Sequence, residues 1–203
     1  MLTVAPDCIA PITKSALCVA TNKLAQDEAF SSIIGVNSSL ILPIISAAGM
    51  FDPCGLILEI PPRTGYYWCT PKEALTFAAT GGDGVHYSYL SSSNLSSSVV
   101  PVVMTLPAAE KHNLVVAENI DEFLGLGYHV GWFGLEQIVY QPEAALAYFA
   151  QPDPDARECK SARMNFLRSH LSIRPVALSL ERIARLTGKY SSFLVVPDEP
   201  NET

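Results

Sequence analysis

Along the chain the spacing of apolar and polar positions changes character twice. From Lys14 to Phe30 no proline or glycine interrupts a mixed run, which predicts a helix over residues 12–30. A second helix is predicted over 37–50, weakened by Pro43 and by the β-branched residues around it. From Cys54 the runs become short, rich in branched and aromatic residues, and punctuated by Pro, Arg, Thr and Gly. Six of them read as strands: GLILEI (55–60), GYYWCT (65–70), ALTFAAT (74–80), VHYSYL (85–90), VVPVVMTL (99–106) and NLVVAE (113–118). Pro101 puts the fifth of these at an edge or a bulge. The polar tract SSSNLSSS (91–98) reads as a loop.

Helical spacing then returns. Asn119 followed by Glu122 has the form of a capping box. Tyr128, Trp132, Leu135 and Val139 fall on one helical stripe, which reads as core. Gly127, Gly131 and Gly134 would each cost about 1 kcal/mol inside a helix, so close packing or a break near Gly127 must compensate. QPDPDA (151–156) is a breaker. A helix over 155–170 carries Cys159, Phe166 and His170 near one face, and a last helix starts near Ser179. Helices, meander, helices: this order predicts one α+β domain over 1–203, an antiparallel β-meander packed against N-terminal and C-terminal helices.

Composition agrees with a folded domain. Of the 203 residues, 49% are hydrophobic and 16% charged, which excludes disorder for most of the length. Five widely spaced cysteines (Cys8, Cys18, Cys54, Cys69, Cys159) contain no Cys-x-x-Cys, so a disulfide framework and a zinc knuckle are not expected. Residues 1–10 hold no basic side chain, and the apolar stretch 33–50 is interrupted by Asn37, Ser38, Ser39 and Pro43, short of the ~20 residues a span needs. The expectation is a cytoplasmic chain with no membrane contact, in which sequons at Asn37, Asn94 and Asn201 carry no meaning.

The net charge of −7 is unevenly spread. Residues 157–189 hold eight basic and two acidic side chains; residues 1–156 hold five basic and fifteen acidic. A basic extension over about 155–190 could bind nucleic acid, but an acidic chain repels phosphates, and the favoured expectation is that the extension packs on its own body.

Candidate chemistry centres on TGGDGVHY (80–87). Gly81, Gly82, Asp83 and Gly84 suit a hairpin turn. Leu75, Phe77 and Ala79 are predicted on one face of the incoming strand, and Val85, Tyr87 and Tyr89 on one face of the outgoing strand. His86 then points away with Ser88, half exposed, where Asp83 could fix its tautomer and raise its pKa. Such a pair would serve a hydrolase with His86 as base and Asp83 as orienter, and Cys54, Cys69 or Ser88 as nucleophile. His112, His129 and His170 are isolated, so no metal is expected. There is no P-loop, no Gly-x-Ser-x-Gly and no Gly-x-Gly-x-x-Gly.

TPKEALTFAATGGDGVHYSYL (70–90), VVPVVMTLP (99–107), NLVVAENIDEFLGLG (113–127) and GWFGLEQIVY (131–140) together resemble the SUKH-type superfamily, which includes a fungal cell-wall synthesis regulator and many bacterial immunity proteins. The resemblance covers about 54–140. Residues 30–54 depart from it, being unusually apolar and lacking the Asn-Gly of that family's opening segment. The resemblance implies an α+β domain that binds another protein, often a toxin, with no cofactor and no chemistry of its own. The residues expected to meet that partner are Asp83 and His86 at the hairpin tip, with Tyr87 and Tyr89 behind them. Homo-oligomerisation is left open.

Overall fold

The computed structural model describes residues 52–90, 100–153, 155–156, 160–161, 164–165, 168–169 and 173–197. The helices predicted over 12–30 and 37–50, the tract 91–98, and Cys159, Phe166 and His170 lie outside the described residues.

Strands β1 (Ile57–Arg63), β2 (Ala74–Ala79), β3 (His86–Leu90), β4 (Val102–Thr105) and β5 (Asn113–Ala117) form one antiparallel sheet in chain order. Helices α1 (Ile120–Leu126), α2 (Gln137–Tyr140), α3 (Pro142–Phe149) and α4 (Leu180–Lys189) follow. The architecture is α+β, as the pattern predicts. No helix among the described residues is long and apolar enough to cross a membrane.

Both faces of the sheet are buried. On the larger face Ala78, Tyr87, Tyr89, Val102 and Met104 pack with Phe123 of α1, Trp132, Leu135 and Phe149 of α3. On the smaller face Ala74, Leu90, Val103 and Val115 meet Leu186 and Tyr190 at the end of α4, with Phe193 and Leu194 beyond it. Two bulges each feed an extra residue to the larger core. The β2–β3 register shifts between Thr76 and Ala78, so Phe77 and Ala78 both enter that core. The β4–β5 register shifts at Val102/Val103, and Val116 and Ala117 do likewise. The predicted alternation of Leu75, Phe77 and Ala79 fails at the first bulge: Ala79 pairs with His86, on the opposite face.

Three other sequence expectations are corrected. GYYWCT (65–70) is a turn, not a strand: Gly65 has a φ of 62°, and the Thr70 N–H returns to the Tyr67 carbonyl at 3.0 Å. Three successive aromatics supplied the composition of a strand without its extension. Of the edge or bulge expected at Pro101, the edge is corrected, because β4 lies inside the sheet, while the register irregularity at Val102/Val103 stands directly beside the proline. The proline stands one residue before β4, where its missing N–H costs nothing, and its carbonyl accepts from Leu90 N–H at 2.9 Å.

The stripe Tyr128–Val139 is not one helix. α1 ends at Leu126 with Gly127 as its C-cap, and Gly131 and Gly134 have φ values of 77° and 86°. Trp132 is nonetheless completely buried. Its indole lies so close to Gly127 that a side chain there would collide with it. The indole N–H donates to the Phe123 carbonyl at 2.9 Å, and the Trp132 carbonyl accepts from the Tyr87 hydroxyl at 3.1 Å. The Cys54 carbonyl accepts from the backbone N–H groups of Trp132 and Phe133 at 2.6 and 3.2 Å.

The Asn119 cap is as the sequence predicts, and the last helix starts where expected, with Ser179 as its cap. Asn119 Oδ1 accepts the Glu122 N–H at 2.8 Å, and Ser179 Oγ accepts the Arg182 N–H at 3.2 Å. Glu122 reaches back one residue beyond its cap, accepting from Glu118 N–H at 2.7 Å. The basic extension folds onto the acidic body: Lys189 pairs with Glu118 at 2.6 Å, Arg182 with Glu118 at 3.4 Å and with Glu122, and Lys160 with Asp153 at 2.9 Å. The Lys189 ammonium holds the Glu118 carboxyl below its usual range. Arg168 donates to the Tyr128 carbonyl and lies 4.6 Å over that ring.

The sheet's two outer strands are also occupied or interrupted. Pro61 and Pro62 leave β1 without two N–H donors, and its register with β2 is irregular between Leu58 and Arg63. On β5 the Val115 N–H donates to the buried hydroxyl of Thr187 at 2.9 Å.

Two sets of substitutions test this packing by urea denaturation. Gly134→Ala, in open space, should cost the positive-φ strain of about 1–2 kcal/mol. Gly131→Ala should cost clearly more, because its new Cβ would stand 2.5 Å from the Cys54 carbonyl oxygen. Thr187→Val keeps the shape but strands the Val115 N–H, for an expected loss of about 1–3 kcal/mol. Equal losses at the two glycines would contradict the close approach of residues 54 and 131.

Candidate functional site

Asp83 and Gly84 have φ values of 50° and 71°, and the Val85 N–H returns to the Gly82 carbonyl at 3.2 Å. Two successive positive φ values are what a tight hairpin with right-handed strand twist requires, and Asp-Gly is the pair that adopts them cheaply. The turn delivers His86 as the first residue of β3, in a cross-strand row Ala79–His86–Thr105–Asn113. This row faces the smaller core side, and His86, Thr105 and Asn113 are all buried.

Burial of that row depends on the turn at 64–71, which lies over it. Thr70 Oγ1 accepts the Tyr67 N–H at 2.8 Å and stands 2.9 Å from His86 Nε2. His86 Nδ1 is 2.7 Å from the Gly84 carbonyl, which can only accept. The neutral ring therefore carries its proton on Nδ1, and the Thr70 hydroxyl donates to Nε2. Asn113 Nδ2 donates to the Cys69 carbonyl at 2.9 Å, and its Oδ1 accepts from Thr105 at 2.7 Å. Two of these links, Thr70–His86 and Asn113–Cys69, hold the turn down on the sheet.

The upper side of the same turn is aromatic. Tyr66 lies 4.8 Å from the His86 ring, with the Arg63 guanidinium over the Tyr66 ring at 4.4 Å from its centroid and Glu59 paired to Arg63 at 3.1 Å. Burial and then Glu59 push the Tyr66 hydroxyl above its usual pKa. Tyr67 packs on the hairpin: a Cβ at Gly84 would come within 3.0 Å of the Tyr67 ring and 3.1 Å of Pro107. Trp68 meets the His112 ring edge-on at 4.8 Å, and His112 Nδ1 is held by the Leu106 carbonyl at 3.2 Å. Tyr67 is 41% and Trp68 52% exposed, against 0% for Thr70 and His86. The result is a continuous surface of Tyr67, Trp68, Pro107 and His112 beside the exposed Asp83 tip.

His86 is thus completely buried rather than half exposed, because the turn at 64–71 and the α4 end cover the face that alternation assigned to solvent. Its orienter is the Gly84 carbonyl, not Asp83. Its pKa is lowered, not raised: burial disfavours the charged ring and outweighs the Gly84 bond and the Glu59 charge. Tyr87 and Tyr89 are buried too, their hydroxyl pKa values raised by burial. Tyr89 stacks on Phe77 at 4.3 Å. Of the four residues expected at a partner surface, the structure leaves only Asp83 exposed and places the other three beneath it.

The hydroxyl–imidazole–carbonyl series Thr70–His86–Gly84 has the connectivity of an activated nucleophile, yet both side chains are sealed from solvent. Ser88 is buried against Thr76 at 2.8 Å, and Cys54 and Cys69 carry buried thiols. Burial raises the Cys69 pKa, which disfavours its nucleophilic form. Among the described residues no cluster of three or more His, Cys, Asp or Glu could hold a metal. Tyr67 and Trp68 escaped the sequence reading; the signal was available in Arg63-Thr64-Gly65 before them and Pro71 after, which bracket a turn.

No family model, curated protein or solved structure matches this chain.

The depressed His86 pKa fixes a sign for pH dependence. The unfolded chain takes up the proton near the ordinary histidine value of 6.5 while the folded one refuses it, so the His86 contribution is intact above 6.5 and lost as pH falls toward the folded value. Urea midpoints should fall between pH 7.5 and 5.5, a working range chosen to bracket that ionisation, by more in the native chain than in His86→Gln. Equal slopes for the two chains would place the titrating group elsewhere.

Proposed function

We propose that this chain is a non-enzymatic protein-binding domain of the SUKH type, and that it meets its partner through the aromatic surface of Tyr67 and Trp68 beside the Asp83 tip. The observation that carries this is the pairing of two large, exposed aromatic side chains with a buried polar row that anchors their turn. Exposed Trp and Tyr on a braced loop supply contact area at low entropic cost, and such residues dominate binding energies at protein interfaces. The burial of His86 and Thr70 supports a bracing role over a catalytic one. The acidic excess outside 157–189 favours a basic partner, in keeping with the toxins that the resemblance implies.

The test is capture of the partner on immobilised full-length chain, identification by mass spectrometry, and titration of the purified partner. Trp68→Ala should weaken binding about 30-fold or more, the effect of a hot spot of about 2 kcal/mol, with unchanged urea stability. Asp83→Ala should weaken it less. Undiminished affinity in a Tyr67→Ala, Trp68→Ala chain would overturn the surface. Failure to retain any protein stoichiometrically would overturn the function.

A further inference from the structure

The buried row beneath the turn at 64–71 contains an ionisable ring that bracing alone does not require. Asn113 ties the same turn through the Cys69 carbonyl at 2.9 Å, with an amide that keeps its protons at any ordinary pH. His86 does the corresponding work on β3 with the side chain whose protonation changes nearest to neutral pH.

The way the turn is fastened gives that ring a consequence. The bonds between residues 67 and 70 are internal to the turn: Thr70 N–H to the Tyr67 carbonyl at 3.0 Å, and Tyr67 N–H to Thr70 Oγ1 at 2.8 Å. Cys69 and Thr70 are tied down to the sheet by the side-chain bonds Asn113–Cys69 and Thr70–His86. The second of these has one allowed polarity. The Gly84 carbonyl takes the Nδ1 proton, so Nε2 accepts and the Thr70 hydroxyl donates its single proton. A further proton on Nε2 turns that acceptor into a donor. It meets the Thr70 hydroxyl head-on, inside a site where both residues are 0% exposed. A buried donor that loses its acceptor is costly, and a buried charged ring more so. Lifting the turn relieves both, because water then reaches ring and hydroxyl. No strand has to separate, since residues 64–71 lie between β1 and β2 and belong to neither.

The groups around the ring are a poor substitute for that water. Glu59 on β1 is the carboxylate whose charge reaches His86, and it is already paired with Arg63 at 3.1 Å. Tyr66 and Tyr67 of the turn face the ring at 4.8 and 6.4 Å. Along the row β2, β4 and β5 present the uncharged Ala79, Thr105 and Asn113. α4 packs on the neighbouring row through Val103 and Val115, and its Arg182 and Lys189 are committed to Glu118 and Glu122. Asp83 stands on the exposed tip, and His112 meets the turn at Trp68.

We propose that proton uptake at His86 Nε2 releases the turn at 64–71 from the sheet, so that the Tyr67–Trp68 surface is held in place at neutral pH and loosened in acid. The consequence for binding rests on the reading of those two side chains as the partner surface; the release itself does not.

Thiol labelling of the full-length chain reads the release with no partner present. Cys69 is buried in the turn and is uncovered when it lifts, whereas the buried Cys54, ahead of β1, reports opening of the larger core. Trypsin places them in separate peptides, residues 64–72 and 24–63. With limiting N-ethylmaleimide, each labelling rate is divided by the rate in the urea-unfolded chain at the same pH. For Cys69 this ratio should rise about tenfold between about pH 7.5 and about pH 5.5, the limit for one proton taken up near 6.5 only when the turn is lifted. The Cys54 ratio should stay level. His86→Gln should abolish the rise, and His112→Gln should retain it. Should His86→Gln fail to fold, the native chain still decides: a flat Cys69 ratio, or a Cys54 ratio rising in step with it, overturns the proposal. So does a rise that survives in folded His86→Gln or vanishes in His112→Gln. Failure here leaves the surface assignment standing, and failure to capture a partner leaves the release standing.

Discussion

Trp132, through its indole and its backbone, joins three parts of the chain that are far apart in sequence. Its indole N–H is spent on the Phe123 carbonyl in α1, its own carbonyl receives the Tyr87 hydroxyl from β3, and its backbone N–H is taken by Cys54 ahead of β1. A buried tryptophan needs a partner for its N–H, and finding one here fixes how the post-sheet chain crosses the larger face. Gly55, Gly127 and Gly131 follow from that constraint, since each removes a Cβ where backbone or indole must pass. Phe123 stacks on the indole at 5.8 Å, and Phe77 and Tyr87 close around Phe123 in edge-on and tilted contacts.

The smaller face works by different physics. Thr70, Thr76, His86, Ser88, Thr105, Asn113 and Thr187 are its buried polar groups, and each finds a protein partner. Hydrogen bonds of this kind add little net stability, yet leaving any one unmade is costly, so the row specifies one position for the turn at 64–71 and one for α4. An apolar face would tolerate sliding; this one does not. The aromatic side chains carried by that turn inherit their fixed placement from it.

Where single residues carry a local rule, the sequence was legible. Asp83-Gly84 announced the turn, Asn119 and Ser179 announced their helices, and the meander order followed from spacing. What escaped depends on contacts between distant positions. Nothing near His86 tells that residues 70 and 105 will enclose it, and nothing near Thr187 tells that it will face Val115. The bulges at Phe77 and Val116 are set by cross-strand registers that no alternation rule contains. The Tyr128–Val139 stripe misled because its buried members, Trp132 and Leu135, are core without being helical in phase. Its glycines carried the better information. At the candidate site the hairpin turn was read correctly, whereas Tyr67 and Trp68 were read as strand and His86 as half exposed.

The treatment of the outer strands has a bearing on how this protein survives its own synthesis. A meander of short, strongly apolar strands is the kind of sequence that templates fibrils when one ribbon recruits the next. Of the two adjacent prolines in β1, one removes a donor from the outward edge, which hinders a ladder from extending there even before the rest of the domain has formed. The other side has no such covalent protection. Its Val115 donor is occupied by a threonine 72 positions later, so while α4 is still being made or is transiently detached, that strand can accept a stranger. Vulnerability to self-templated growth is therefore greater on the β5 side, and it lessens when the last helix docks.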